Sequence, residues 1–228
     1  VNLKINLSCW FLPQPLTLYK DTYNVYPGSY LKYKNGKVTE KRWYNPKIKI
    51  TPDSEDVISE NFINLYKKAI KYRLQSDVPV GVFLSGGLDS TSIAKFSKEF
   101  SAKGFYAFGA KIPDKEDWEN SNTDALIPPK LSKDLGLKYK EVLLDYDYFN
   151  TNIVNIAANF DEILVDSGTL VFYALSALAK ANGVSVVMTG VGGDEILGGF
   201  PWQSGIARRC DPIFQAWCDK VPYSRFLY

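Results

Sequence analysis

Between residues 52 and 75 apolar side chains recur at helical spacing: Val57, Ile58, Phe62, Leu65, Ile70 and Leu74. Pro52-Asp53-Ser54 precedes them and offers an N-cap at Asp53 or Ser54, so the pattern predicts a helix ending near Gln75. From Val78 the texture changes, and Val80 to Leu84 is an unbroken apolar run of the kind a strand buried on both faces requires. Helix-like and strand-like stretches then alternate. A helix is expected from Ser90 to about Ala102, a strand from Phe105 to Phe108, and a helical segment over Leu131 to Leu135 that starts near Pro128 or Pro129. A strand over Tyr139 to Leu144 follows, then helices over Phe149 to Asn159 and Thr169 to Asn182, and a last strand over Val184 to Thr189. This alternation predicts an α/β fold with a doubly wound parallel sheet.

Residues 1 to about 50 read differently. They are rich in Tyr, Leu, Val and Trp, with turn signals at Pro27-Gly28 and Asn35-Gly36. Asn-Gly tolerates the positive φ angles of a tight hairpin turn, so Leu31 to Val38 is expected to form a β-hairpin within a set of short antiparallel strands. Such a stretch is too small to hold a sheet core alone. The polar segment Lys111 to Asn122 reads as a surface loop.

Composition narrows the chemistry. The 228 residues are 46% hydrophobic and 23% charged, an ordinary globular balance. Lys and Arg (27) nearly cancel Asp and Glu (25), so no charge excess points to nucleic acid. The chain contains no histidine, which excludes His general bases, Ser-His-Asp sites and His-ligated zinc. Cys9, Cys210 and Cys218 are too few for a disulfide framework, and a reducing, cytoplasmic setting is expected. No apolar run approaches the roughly 20 residues of a membrane span, and no charged leader with an apolar block opens the chain. Met188 is the only methionine, so the chain reads as a piece of something longer.

Two glycine-rich stretches carry the chemistry. Ser85-Gly86-Gly87-Leu88-Asp89-Ser90 lies between the buried strand and a helix, where open α/β sheets bind their ligands. Its glycines bring backbone N–H groups close to an anion, the helix start adds partial positive charge, and the Ser85 and Ser90 hydroxyls can donate to phosphate oxygens. It lacks the Lys-Ser/Thr of a Walker A loop and is not G-x-G-x-x-G. Asp89 would repel polyphosphate unless a divalent cation lay between them, which implies Mg²⁺. Thr189-Gly190-Val191-Gly192-Gly193-Asp194-Glu195 follows the last strand and offers Asp194 as a second hard oxygen ligand. Either stretch alone is also compatible with a glycine-rich surface turn; their pairing at strand ends favours a site.

These residues resemble a known family. Ser85 to Ser90 look like the pyrophosphate-binding loop of N-type ATP pyrophosphatases. With Gly190 to Phe200 they resemble the synthetase domain of glutamine-hydrolysing asparagine synthetases, over residues 10 to 205. The resemblance implies an adenine nucleotide alpha hydrolase-like fold over residues 51–228, truncated at its C-terminal end. Tyr26 to Tyr30 and Arg42-Trp43-Tyr44 look like the last strands of the family's N-terminal glutaminase domain, making residues 1–50 an incomplete remnant of it. Asp161-Glu162 and Asp166-Ser167 resemble the family's Asp-Glu-Pro…Asp-Ser stretch, with Ile163 at the usual proline. By the same resemblance Ser85, Gly86, Gly87, Asp89 and Ser90 hold ATP phosphates, and Asp89 and Asp194 hold Mg²⁺. Phe83, Phe108, Thr189 and Gly190 stand at adenosine-contacting positions, where a purine would meet Phe edges and backbone amides. Asp89, Asp194 and Glu195 become the catalytic candidates.

The implied activity is ATP-dependent amide formation, with aspartate activated as an acyl-adenylate and ammonia supplied from glutamine. Small molecules are the expected partners, without nucleic acid or membrane, and a homodimer is an allowed assembly. One departure matters: Val191 stands where the family's Gly-Glu-Gly-x-Asp-Glu carries a glutamate, and valine can neither accept a proton nor position an amine. Glu195 or Glu162 could serve instead, or the acceptor could differ, as in polysaccharide-linked amidotransferases, β-lactam synthetases or peptide cyclases. A nucleotide-binding module without catalysis is a further reading, and a tRNA-modifying relative would need a basic patch or paired cysteines that are not seen. Cys9 is no substitute for a glutaminase nucleophile, and Lys220 lies too close to the second loop to match the family's late lysine. The basic cluster Lys67, Lys68, Lys71 and Arg73 reads as a solvated helix face.

Overall fold

The apolar run at Val80 becomes the centre of a four-stranded sheet because its neighbours cover it on both edges and both faces. The computed structural model describes residues 2–47, 52–101, 105–113, 123–161, 168–200 and 203. In chain order the elements are α1 (Asn2–Cys9), β1 (Ser29–Lys34), β2 (Lys37–Arg42), α2 (Glu55–Arg73), β3 (Val80–Phe83), α3 (Leu88–Phe100), β4 (Tyr106–Lys111), α4 (Thr123–Asp134), β5 (Lys138–Leu143), α5 (Tyr146–Ala158), α6 (Gly168–Ala181), β6 (Val186–Met188) and α7 (Gly193–Leu197).

The main sheet runs β5-β4-β3-β6, and each of its pairings is parallel. Gly81, Val82 and Phe83 pair with Tyr106, Ala107 and Phe108, while Val80, Gly81 and Val82 pair with Val186, Val187 and Met188. The period-2 alternation of a strand sorts the core onto two faces. Val82, Leu84, Ala107 and Met188 pack with Ile70 of α2 and Ile93 and Ala94 of α3. Phe83, Phe108 and Val184 pack on the opposite face with Leu175 and Ala179 of α6. Helices on both faces of a parallel sheet are the doubly wound arrangement the sequence predicts.

Four expectations need correction. Residues 2–9 are helical rather than strand-like, and Asn6 of that helix is wholly buried. The Asn35-Gly36 hairpin does form, with φ +53° and +75° at the turn, but among the described residues it is a sheet of two strands. Every β2 residue is exposed, so the β2 side chains on both faces of that ribbon meet solvent. α4 starts at Thr123, so Pro128 and Pro129 lie inside the helix rather than at its first turn. The first-turn preference reflects the missing proline N–H, and here the helix tolerates that loss at two consecutive positions, Pro128 being buried. Part of the expected loop at Lys111 to Asn122 is strand, since β4 runs to Lys111, and residues 114–122 lie outside the described residues, as do Glu162, Asp166, Ser167, Cys210, Cys218 and Lys220.

Candidate nucleotide and metal site

β3 ends at Phe83, and the Leu84 N–H still donates to the Phe108 carbonyl at 2.8 Å before the chain turns. Gly86 takes φ +94°, a conformation that favours a residue without Cβ. α3 begins at Leu88 with Gly87 as its N-cap, so Asp89 sits in the first helical turn and is not the cap. A hydroxyl network locks the bend. The Ser85 Oγ lies 3.0 Å from the Ser90 Oγ and accepts the Gly87 N–H at 3.3 Å. The Ser90 Oγ accepts the Ser85 N–H and donates to the Gly87 carbonyl, each at 3.2 Å. Ser90 is buried and its hydroxyl is committed to holding the loop, whereas Ser85 is exposed. What the bend offers an anion is chiefly the unsatisfied N–H groups at the start of α3.

The second bend is built the same way. β6 ends at Met188, the Gly193 N–H donates to the Gly190 carbonyl at 3.2 Å, and Gly192 takes φ +101°. α7 follows at once, and the Glu195 Oε2 accepts the Gly192 N–H at 2.9 Å. The two bends touch because their contact points are glycines. A β-carbon at Gly190 would lie 3.0 Å from the Asp89 Cβ and 3.1 Å from the Ser90 nitrogen, and one at Gly193 would collide with the Asp89 carboxyl. The Asp194 carboxyl is seated in the same manner on Gly199.

This seating sets the electrostatics. Partial burial, then the charges of Asp194 and Glu195, hold the Asp89 carboxyl above its usual range. Like charges gathered at a strand tip describe a place for a cation. Mg²⁺ is commonly bound by one or two carboxylates together with substrate phosphates, so the Asp89–Asp194 donor set fits it. Among the described residues no group of three or more His, Cys, Asp or Glu side chains is placed to hold a metal ion.

The family model for asparagine synthase matches residues 62–222, the greater part of the chain. The chain belongs to the asparagine synthase family. It is 28% identical over 197 residues to asparagine synthetase [glutamine-hydrolyzing] 1 of Bacillus subtilis, covering 85% of this chain and 30% of that protein. It is 30% identical over 202 residues to the second such synthetase assigned in Methanocaldococcus jannaschii, covering 87% and 38%. The chain thus spans about a third of the length of these relatives. Among solved structures it is similar to an NH3-dependent NAD synthetase from Campylobacter jejuni, at 22% identity and TM-score 0.39 over 62% of this chain and 60% of that one.

The residues singled out in the sequence fall unevenly around the two bends. Ser85, Gly86, Gly87, Asp89, Ser90, Thr189, Gly190, Asp194 and Glu195 all lie on the two bends or the helix starts that follow them. Phe83 and Phe108 do not offer ring edges to a purine. Phe108 is fully inaccessible and stacks on Tyr106, while Phe83 packs against Phe172, both within the α6-side core. Alternation along β3 and β4 turns those rings into the sheet face and leaves only backbone at the tips. Glu195 is engaged as a helix cap. Val191 is 69% exposed, so the position of the family's glutamate is occupied by an apolar side chain in solvent.

Residues of α2 were missed. Phe62, Tyr66 and Arg73 line a cleft of about 660 Å³ that also contains Asp89, Thr189 and Gly190. Burial and the Asp89 charge raise the Tyr66 phenol, which keeps it a proton donor at neutral pH. No local signal marked these residues, because only the fold brings α2 alongside Asp89 and the second bend. Lys67, expected to be solvated, instead pairs with Glu99 at 2.8 Å and covers the Phe96 ring.

Proposed function

We infer that the whole protein is an ATP-dependent carbon–nitrogen ligase that forms an amide through an acyl-adenylate. The observation that carries this reading is the contact between two glycine bends on the neighbouring parallel strands β3 and β6, where Gly190 and Gly193 lie against Asp89. An oxygen of the substrate carboxylate attacks the α-phosphorus of ATP, and the bond to the bridging oxygen breaks with its electron pair leaving on pyrophosphate. Ammonia, drawn from glutamine in this reading, then attacks the acyl carbon, AMP departs, and the amine loses a proton to solvent. Asp89 and Asp194 would hold Mg²⁺, whose contribution is to neutralise charge on the leaving pyrophosphate. The α3 amides and Gly86–Gly87 backbone bind and orient the phosphates, acting by positioning and electrostatic preorganisation.

Two acceptors compete. Aspartate is suggested by the names of the relatives, and another carboxylate is favoured by Val191, which removes the polar group the family places there. Residues 1–50, which include α1 and the β1–β2 hairpin, are read as the end of a glutaminase domain and 51–228 as the ATP-binding unit. The decisive experiment is carboxylate-dependent pyrophosphate release by the whole protein. Asp89→Asn should lower the rate about 10²–10³-fold, the usual cost of losing one preorganised electrostatic contact. Unchanged release would remove Asp89 from the reaction and the reading with it.

A further inference from the structure

Asn-Gly occurs twice in the chain, at Asn35-Gly36 and Asn182-Gly183, and the fold treats the two dipeptides in opposite ways. An asparagine before a glycine is chemically exposed, because a backbone nitrogen with no β-carbon beside it can approach the preceding carboxamide carbon. Both glycines take φ +75°, so their own conformation does not separate the sites. What separates them is how the amide and the nitrogen are held. Asn182 follows the last residue of α6, and its Nδ2 donates to the Leu178 carbonyl at 2.8 Å, which points the carboxamide back along the helix and away from Gly183. The Gly183 N–H donates to the Lys180 carbonyl at 3.0 Å, and the next residue, Val184, is buried in the α6-side core. Releasing this dipeptide means opening a helix end packed on the sheet. Asn35 and Gly36 instead form the tip of the β1–β2 ribbon, and both are exposed. A β-carbon at Gly36 would meet nothing within 4 Å among the described residues, so the approach to its nitrogen is open. A two-stranded ribbon also opens readily in water, which frees the turn to reach the geometry of attack.

We propose that Asn35 is a self-modification site, converting through a cyclic imide to isoaspartate and so releasing the β1–β2 register, while the fold preserves Asn182. The Gly36 nitrogen gives its proton to solvent and attacks the Asn35 Cγ. A C–N bond forms, the Cγ–Nδ2 bond breaks, and Nδ2 leaves as ammonia with a proton taken from solvent. Water then adds to an imide carbonyl, and opening at the former backbone carbonyl leaves the chain running through Cβ. Water is consumed and ammonia released, with no oxidant or reductant. The added backbone methylene lengthens a two-residue turn that sets Ser29–Lys34 against Lys37–Arg42, so the pairing is lost. The test holds the 228-residue chain at mildly alkaline pH, in buffer and in urea. Both sites are followed by mass spectrometry of chymotryptic peptides, with fragmentation that separates isoaspartate from aspartate. In buffer Asn35 should convert at least about tenfold faster than Asn182, and in urea, where neither site is held, the two rates should converge. Cross-strand nuclear Overhauser contacts between β1 and β2 should disappear from the converted chain, and their retention overturns the loss of register. Equal rates in buffer, faster conversion at Asn182, or no conversion at Asn35 while the urea sample reacts overturns the proposal. A preference for Asn35 that persists unchanged in urea also overturns it, because flanking residues rather than the fold would then set the rate.

Discussion

Asp89 concentrates the conflict between folding and function in one side chain. A carboxyl held above its ordinary range binds its proton more tightly in the folded chain than in the unfolded one. Stability therefore falls as pH rises from the unfolded-state value near 4 through the raised folded-state value, and the loss persists at neutral pH. Asp89→Asn removes that loss. Without Mg²⁺ the variant should unfold at a higher temperature than the parent at pH 7, and the gap should close toward pH 3, where both side chains are neutral. Adding Mg²⁺ with ATP should raise the parent's midpoint and leave the variant's unmoved, so circular dichroism melts in four conditions check both halves. Gly193→Ala tests the seating rather than the charge. Its new methyl collides with the Asp89 carboxyl, so Mg-ATP affinity should drop at least tenfold while the far-ultraviolet spectrum stays that of the parent.

At the scale of elements, two leucines four residues apart separate packing from exposure. Leu84 is 1% exposed beneath α2 and α3, and Leu88 is 81% exposed at the start of α3. Leu84→Ala should cost about 2–5 kcal/mol in urea unfolding, because it removes a buried side chain and leaves a cavity. Leu88→Ala should stay within about 0.5 kcal/mol of the parent. The same distinction explains which elements were legible in the sequence. β3 announces itself because burial on both faces demands an unbroken apolar run, α3 and α6 because a buried stripe imposes helical spacing, and α2 and α5 because their apolar residues keep that spacing although only Ile70 and Ile156 are buried. α1 carries no such stripe: its one buried residue is the polar Asn6. α4 is obscured by Pro128 and Pro129, whose local preference points to a helix start that tertiary context overrides.

Across the whole molecule, the sheet brings together what lies about a hundred residues apart along the chain. The bends were readable because glycine and aspartate beside an apolar run have few other uses. Their contact through Gly190 and Gly193 depends on β6 pairing beside β3, and no local pattern states that pairing. The cleft on α2 was hidden for the same reason. The hairpin β1–β2 stands outside this framework, solvated on both faces, and a two-stranded ribbon is marginal by itself in water. Hydrogen exchange should therefore divide the chain. Amides of Tyr30 to Lys41 should exchange orders of magnitude faster than those of Val82 and Ala107 at the sheet centre. Mg-ATP should then leave the hairpin unchanged and slow exchange at Leu88–Thr91 and Gly190–Glu195 together, because a single ligand bridging both bends must order both. Protection of one bend alone would mean that they act as two separate turns, and Asp194 would then have no part in holding the metal.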